Sequence, residues 1–120
     1  MDLRHLFENV DNAQAFKAGE IVIAEETAGD VMYVILEGEL EVWIGGELVN
    51  VIGPGDIVGE MALIDKKARS ATALAKTDCR LAPVTEKRFL FMVQQTPFFA
   101  LHVMRIIVER LRRMAAMRRA

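Results

Sequence analysis

Cysteine is nearly absent from this 120-residue chain. The single one, Cys79, has no internal partner, so disulfides cannot staple the fold, and a reducing compartment such as the cytoplasm fits best. Histidine is almost as scarce: His5 and His102 stand near opposite ends. That leaves no His-rich metal set and no Ser/His/Asp or Cys/His grouping for nucleophilic catalysis. Apolar runs are short. The longest, such as residues 31–36, hold six, far below the roughly 18 a membrane span requires. The opening MDLRHLFENVDN also lacks the basic-then-apolar order of a secretory leader.

What the chain does hold is apolar side chains, 52% of its residues, at a length that suits one domain without metals as staples. Its formal net charge of −2 hides an asymmetry. Residues 1–100 carry 9 basic and 16 acidic side chains, whereas residues 101–120 carry six Arg and one Glu. An acidic body disfavours nucleic acid as the partner, and Arg110, Arg112, Arg113, Arg118 and Arg119 are most simply a solvated basic face.

Three zones follow from texture. In residues 1–13, Leu3, Leu6, Phe7 and Val10 fall at helical spacing and predict a short amphipathic helix over 2–10. Residues 14–84 hold all eight glycines, arriving every few residues between short apolar runs, the rhythm of a small antiparallel sandwich or barrel. Within it Leu40, Val42 and Ile44 alternate with Glu39, Glu41 and Trp43, and Gly45-Gly46 then predicts a two-residue hairpin into 47–52. Residues 31–36, apolar throughout, read as a strand covered on both sides, and 70–75 and 79–84 as closing strands. From Thr85 glycine is gone. Thr85 caps a helix running to Gln95, and Pro97 opens the first turn of a second helix to about Arg118, so residues 85–118 are helical.

The stretch 53–72, GPGDIVGEMALIDKKARSAT, concentrates the chemistry. Gly59 permits close backbone approach, residues 60–64 suit one helical turn, and the amides opening that turn are available to an anion. Glu60 and Arg69 then face one concavity: a carboxylate accepts from sugar hydroxyls, and a guanidinium grips a phosphate through parallel bonds. The alternative for such a pair alone is a surface ion pair of Arg69 with Glu60 or Asp65.

The surrounding residues bear on that choice. Val58-Gly59-Glu60-Met61-Ala62-Leu63 and Ala68-Arg69-Ser70-Ala71-Thr72 resemble the phosphate-binding cassette, spanning 58–72, of the cyclic nucleotide-binding domain family. Phe16, Gly19-Glu20, Gly29-Asp30, Tyr33-x-Ile35, Glu37-Gly38 and Gly53-x-Gly55-Asp56 are similar to the family's strands leading to it. Val58 and Ala68 depart from the usual Phe and Pro, and neither removes a ligand contact. The resemblance, over about residues 14–118, implies a mainly β jelly-roll with flanking helices: one short N-terminal helix and two C-terminal ones. It implies a ligand, cAMP or cGMP, but no cofactor, no metal and no catalytic residue. Glu60 is expected on the ribose 2′-hydroxyl with the Gly59 backbone nearby, and Arg69 on the cyclic phosphate. Ser70 and amides around Met61, Ala62 and Leu63 assist, with Ala71 and Thr72 completing the cassette. Ser70 and Thr72 allow either base, and cAMP is favoured.

Taken as a whole protein, such a chain is a free-standing sensor acting through an unknown protein partner or through self-association. Met104, Ile107/Val108, Leu111 and Met114/Ala115 recur with a 3–4 alternation, so a homodimer through the last helix and packing onto its own barrel both fit. Arg105 or Arg112 could reach the base. A nucleotide-unresponsive scaffold of the same fold is the alternative function.

Overall fold

The computed structural model describes residues 3–7 and 9–119, with side chains to residue 117. Helix α1 (Arg4–Phe7) precedes strands β1 (Gln14–Phe16), β2 (Ile21–Ile23), β3 (Val31–Glu37), β4 (Leu40–Ile44), β5 (Glu47–Ile52) and β6 (Ile57–Val58). Helix α2 (Glu60–Asp65), strands β7 (Thr72–Ala75) and β8 (Cys79–Thr85), and helices α3 (Glu86–Gln95) and α4 (Pro97–Arg119) complete the chain. The strands form two four-stranded antiparallel sheets, ordered β1-β8-β3-β6 and β2-β7-β4-β5, so the jelly-roll expectation is borne out.

Strand β3 shows why residues 31–36 are apolar without alternation. Met32, Val34 and Leu36 face a core shared with the helices, where Leu3, Phe7, Leu63, Ala82, Val84, Met92, Phe99 and Val103 are buried. Ile35, with Tyr33 partly buried beside it, faces the other way into a second core with Ile23, Leu40, Ile52, Val58, Ala73, Cys79 and Leu81. The first sheet is therefore covered on both faces, helices outside and the second sheet inside. Phe99 ties the helices together, its ring 5.2 Å from Phe89 and 6.0 Å from Phe7.

Local chemistry sets the ends of these elements. Gly45 and Gly46 take φ of 58° and 81°, the left-handed pair that a two-residue hairpin needs between β4 and β5. The Thr85 hydroxyl accepts from the Arg88 amide at 3.1 Å and starts α3, and Glu86 lies in its first turn. Pro97 opens α4.

Two expectations need correction. The predicted 2–10 helix is shorter, Arg4–Phe7, and the ends of that segment close through i to i−3 bonds (Leu6 to Leu3, Val10 to Phe7) instead of continuing an α-helix. Asp2 and Glu8 of the predicted helix lie outside the described residues, as do the side chains of Arg118 and Arg119 from the predicted basic face. Of the alternating β4 residues, Leu40 is buried and Val42 packs partly buried against the second core, whereas Ile44, the last residue of the strand, is exposed; the register shift in the β4–β5 pairing leaves Val49 of β5 as the extra residue.

Candidate functional site

The cassette folds as a short excursion from the first sheet. Strand β6 ends at Val58, Gly59 turns the chain at φ 84°, α2 makes less than two turns, and Lys66 closes it in a left-handed conformation. Residues 66–71 then return to β7. Gly59 serves as the N-cap of α2 with no side chain on its first amides.

Glu60 and Arg69 are the two charged side chains that the described fold buries, at 6% and 7% exposure. They do not pair with each other or with Asp65. Arg69 donates from Nη1 to the Gly59 carbonyl at 3.0 Å and from Nη2 to the Val31 carbonyl at 2.7 Å. Among the described residues no carboxylate forms an ion pair with it. A buried cation satisfied only by neutral carbonyls keeps an uncompensated charge, and a compact anion is the group that would relieve it.

Two glycines hold that guanidinium in place. A methyl group on Gly29 would fall 2.0 Å from Arg69 Nε, and one on Gly59 would fall 2.6 Å from Nη1. Gly29 does not take up a left-handed φ, so there the requirement is space alone.

Glu60 has a different partner. Its Oε1 accepts from Arg110 Nη1 at 2.7 Å, while Arg110 Nη2 contacts Asp56 Oδ1 and the Ile57 carbonyl. Asp56 is itself fixed, its carbonyl accepting from Ile35 and its side chain from the Ile57 amide. One arginine of α4 thus bridges the turn before β6 and the start of α2. Arg110 is not part of a solvated basic face, which corrects the sequence reading; Arg113 is exposed as expected, its Nη1 reaching Asn50 Oδ1 at 3.1 Å. Arg105 and Arg112 are exposed.

The remaining cassette residues divide. Met61 and Ser70 are exposed, and the Ser70 hydroxyl lies 3.4 Å from Met61 Sδ. Ala62 and Leu63 are buried, with Leu63 in the helix-side core, so toward a ligand they offer backbone only. Ala71 is half-buried, and the Thr72 hydroxyl accepts from the Glu25 amide at 2.9 Å. At the far end of the cassette loop Lys66 pairs with Glu86 of α3. An open hollow of about 610 Å³ is bounded by Gly29, Asp30, Lys66, Lys67 and Ala68. A second cleft, of about 430 Å³, lies between the 53–56 turn and α4.

Sequence reasoning missed Asp56, Arg110 and the packing role of Gly29. Only one signal was available for Arg110: a carboxylate destined for burial needs a cation, and no local one suits Glu60. Among the described residues no group of three or more His, Cys, Asp or Glu could hold a metal, and no single helix is long and apolar enough to cross a membrane.

Residues 13–96 match the family model of the cyclic nucleotide-binding domain. An uncharacterized ABC transporter ATP-binding protein of Mycobacterium tuberculosis is 40% identical over 78 residues, which cover 61% of this chain and 24% of that protein. The chain thus spans about a quarter of that relative's length. The catabolite activator protein of Thermus thermophilus superposes with a TM-score of 0.79 over 88% of this chain and 52% of its own, at 24% identity, a likeness of fold. An EAL enzyme in its cAMP-bound form is 34% identical, with a TM-score of 0.64 over 88% of this chain and 29% of the enzyme. The cGMP-bound form of that enzyme gives a TM-score of 0.66.

Proposed function

The chain belongs to the cyclic nucleotide-binding domain family, and on that premise we propose that it binds a cyclic mononucleotide, cAMP in preference to cGMP, as a sensor rather than an enzyme. Arg69 takes the cyclic phosphate, aided by Ser70 and the amides that open α2. Glu60 takes the ribose 2′-hydroxyl beside the Gly59 backbone.

The observation that carries this reading is the buried guanidinium of Arg69, held by two carbonyls and lacking a protein counter-charge among the described residues. Its position one residue from the exposed Ser70 hydroxyl, and in contact with the residue preceding Glu60, supports reading an anion site beside a hydroxyl-accepting carboxylate. Thr72 supports adenine over guanine: its oxygen already accepts from Glu25, which leaves it less free to accept from a guanine amino group. The EAL enzyme solved with either nucleotide supports the ligand class.

Output runs through self-association. Leu101, Met104, Val108 and Leu111 of α4 recur at 3–4 spacing and are 38–60% exposed, a seam suited to a second copy. A reduced, buried thiol at Cys79 suits the cytoplasm.

Calorimetric titration with cAMP and cGMP tests the reading. The wild-type chain gives saturable heat, stronger for cAMP. Arg69→Ala loses about 1.5–3 kcal/mol of charge-assisted bonding, roughly ten- to a hundredfold in affinity. Absence of heat with both nucleotides, or equal affinity in Arg69→Ala, overturns it.

A further inference from the structure

We propose that the exposed seam of α4 takes an acidic-flanked helix of another protein in preference to a second copy, and that Arg105 and Arg112 make that choice. The proposal goes beyond the self-association read from the same seam, and it does not depend on nucleotide binding.

Leu101, Val108 and Ala115 alternate with Met104 and Leu111 along one exposed edge of α4, so they take the a and d positions of a heptad. An edge limited to those positions is the narrow seam that one further helix fills, not the broader face laid on a wide apolar surface. Among the described residues nothing covers it. From Leu111 to Met117 every side chain is exposed, so about two turns of helix stand clear of the body.

The two flanks of the seam differ. On one, Ile107 at position g packs against the helix-side core, and Met114 takes the next g position. On the other, both e positions hold arginine. Arg105 and Arg112 are exposed there and form no ion pair among the described residues. Glu109, the one acid of residues 101–120, stands at b, outside the seam, and pairs with neither.

A second copy repeats this pattern and answers it in neither orientation. In a parallel pair the e arginines of one chain meet the uncharged Ile107 and Met114 of the other; in an antiparallel pair arginine faces arginine. The apolar seam runs to about two heptads, short of the roughly three to four that mark a coiled coil, so the flanks decide the partner. A helix with apolar a and d residues and glutamates at the facing positions supplies both missing counter-charges. Residues 101–120, six Arg against one Glu, present the same sign to whatever approaches.

Two labelled three-heptad peptides test this by fluorescence anisotropy with the nucleotide-free chain. Both carry Leu at a and d; one has Glu at e and g, the other Lys. Wild type binds the Glu peptide one to one and about tenfold or more tightly than the Lys peptide, with the gap narrowing as salt rises. Arg105→Gln with Arg112→Gln binds both alike, and Arg105→Glu with Arg112→Glu prefers the Lys peptide. Both sites are exposed, so the variants keep the fold, which a thermal melt checks. If wild type binds neither peptide, binds both equally, or keeps its preference in the double glutamate variant, the inference falls. Sedimentation equilibrium separates the occupants. A wild-type dimer left intact by excess Glu peptide gives the seam to a second copy, and the inference falls while self-association stands. A monomer that takes the Glu peptide upholds the inference and removes self-association. A chain that ignores both peptides yet floats with phosphatidylglycerol vesicles through these two arginines gives the seam to a lipid surface and overturns the inference.

Discussion

Gly29 and Arg69 lie forty residues apart and occupy one another's space: a methyl group on the glycine would sit 2.0 Å from the arginine Nε and 2.2 Å from its Cζ. The turn before β3 is thereby the bed on which the Arg69 side chain rests. That fixes the guanidinium without an acidic neighbour, so its charge stays available.

The first prediction follows from that bed. Gly29→Ala displaces Arg69 from the Val31 and Gly59 carbonyls and weakens cAMP about ten- to a hundredfold, the loss expected for 1.5–3 kcal/mol of charge-assisted bonding. Calorimetry beside a thermal melt measures it. Because Gly29 requires only space, the variant still folds; an unchanged dissociation constant would show that Arg69 takes no part in binding.

The apolar seam on α4 gives the second. Val108 and Leu111 are 46% and 60% exposed. The pair Val108→Glu and Leu111→Glu raises the dimer dissociation constant at least tenfold, since two like charges per chain then face each other across the seam. Sedimentation equilibrium reports the mass. A wild-type chain that stays monomeric at high concentration, with and without cAMP, counts against self-association.

The third concerns Cys79. Burial, the largest effect, pushes its thiol above an ordinary value of 9.0, outweighing hydrogen bonds to Thr77 and Glu39 that act the other way. In the folded chain the thiol holds its proton to a higher pH than in the unfolded chain. Its contribution is thus fully present below the unfolded-state pKa and is lost as pH rises through the folded one. Stability measured by urea titration declines above about pH 9, and Cys79→Ala reduces that slope. Equal slopes would remove the thiol from the account. Alkylation of the native chain at neutral pH is correspondingly slow.

Much of this was written in local sequence. The Gly45-Gly46 turn, the Thr85 cap and the unbroken apolar β3 each depend on residues within one element and its neighbours, and each could be read before any coordinates. The cassette could also be read, because its spacing is a property of one short stretch. Arg110 could not. Its partners Asp56 and Glu60 lie 54 and 50 residues earlier, and an arginine on a helix rich in arginine carries no mark of the one that turns inward. Gly29 was legible as a turn but not as the floor under Arg69, since close approach between distant segments is decided only when the sheets assemble. The short first helix failed for a related reason: apolar spacing marks which residues go inward, here Leu3 and Phe7, but not how many turns they complete.

The two-sided burial of β3 has a practical consequence for anyone who would pare this chain down to a minimal nucleotide probe. Met32, Val34 and Leu36 carry an oily outer wall whose roof is α1, α3 and α4. Trimming the helices to keep only the barrel would strip that roof and leave a sticky plane prone to clumping. A workable miniature must either retain all three helices or repaint those three positions with polar side chains, leaving Tyr33 and Ile35, which look inward, untouched.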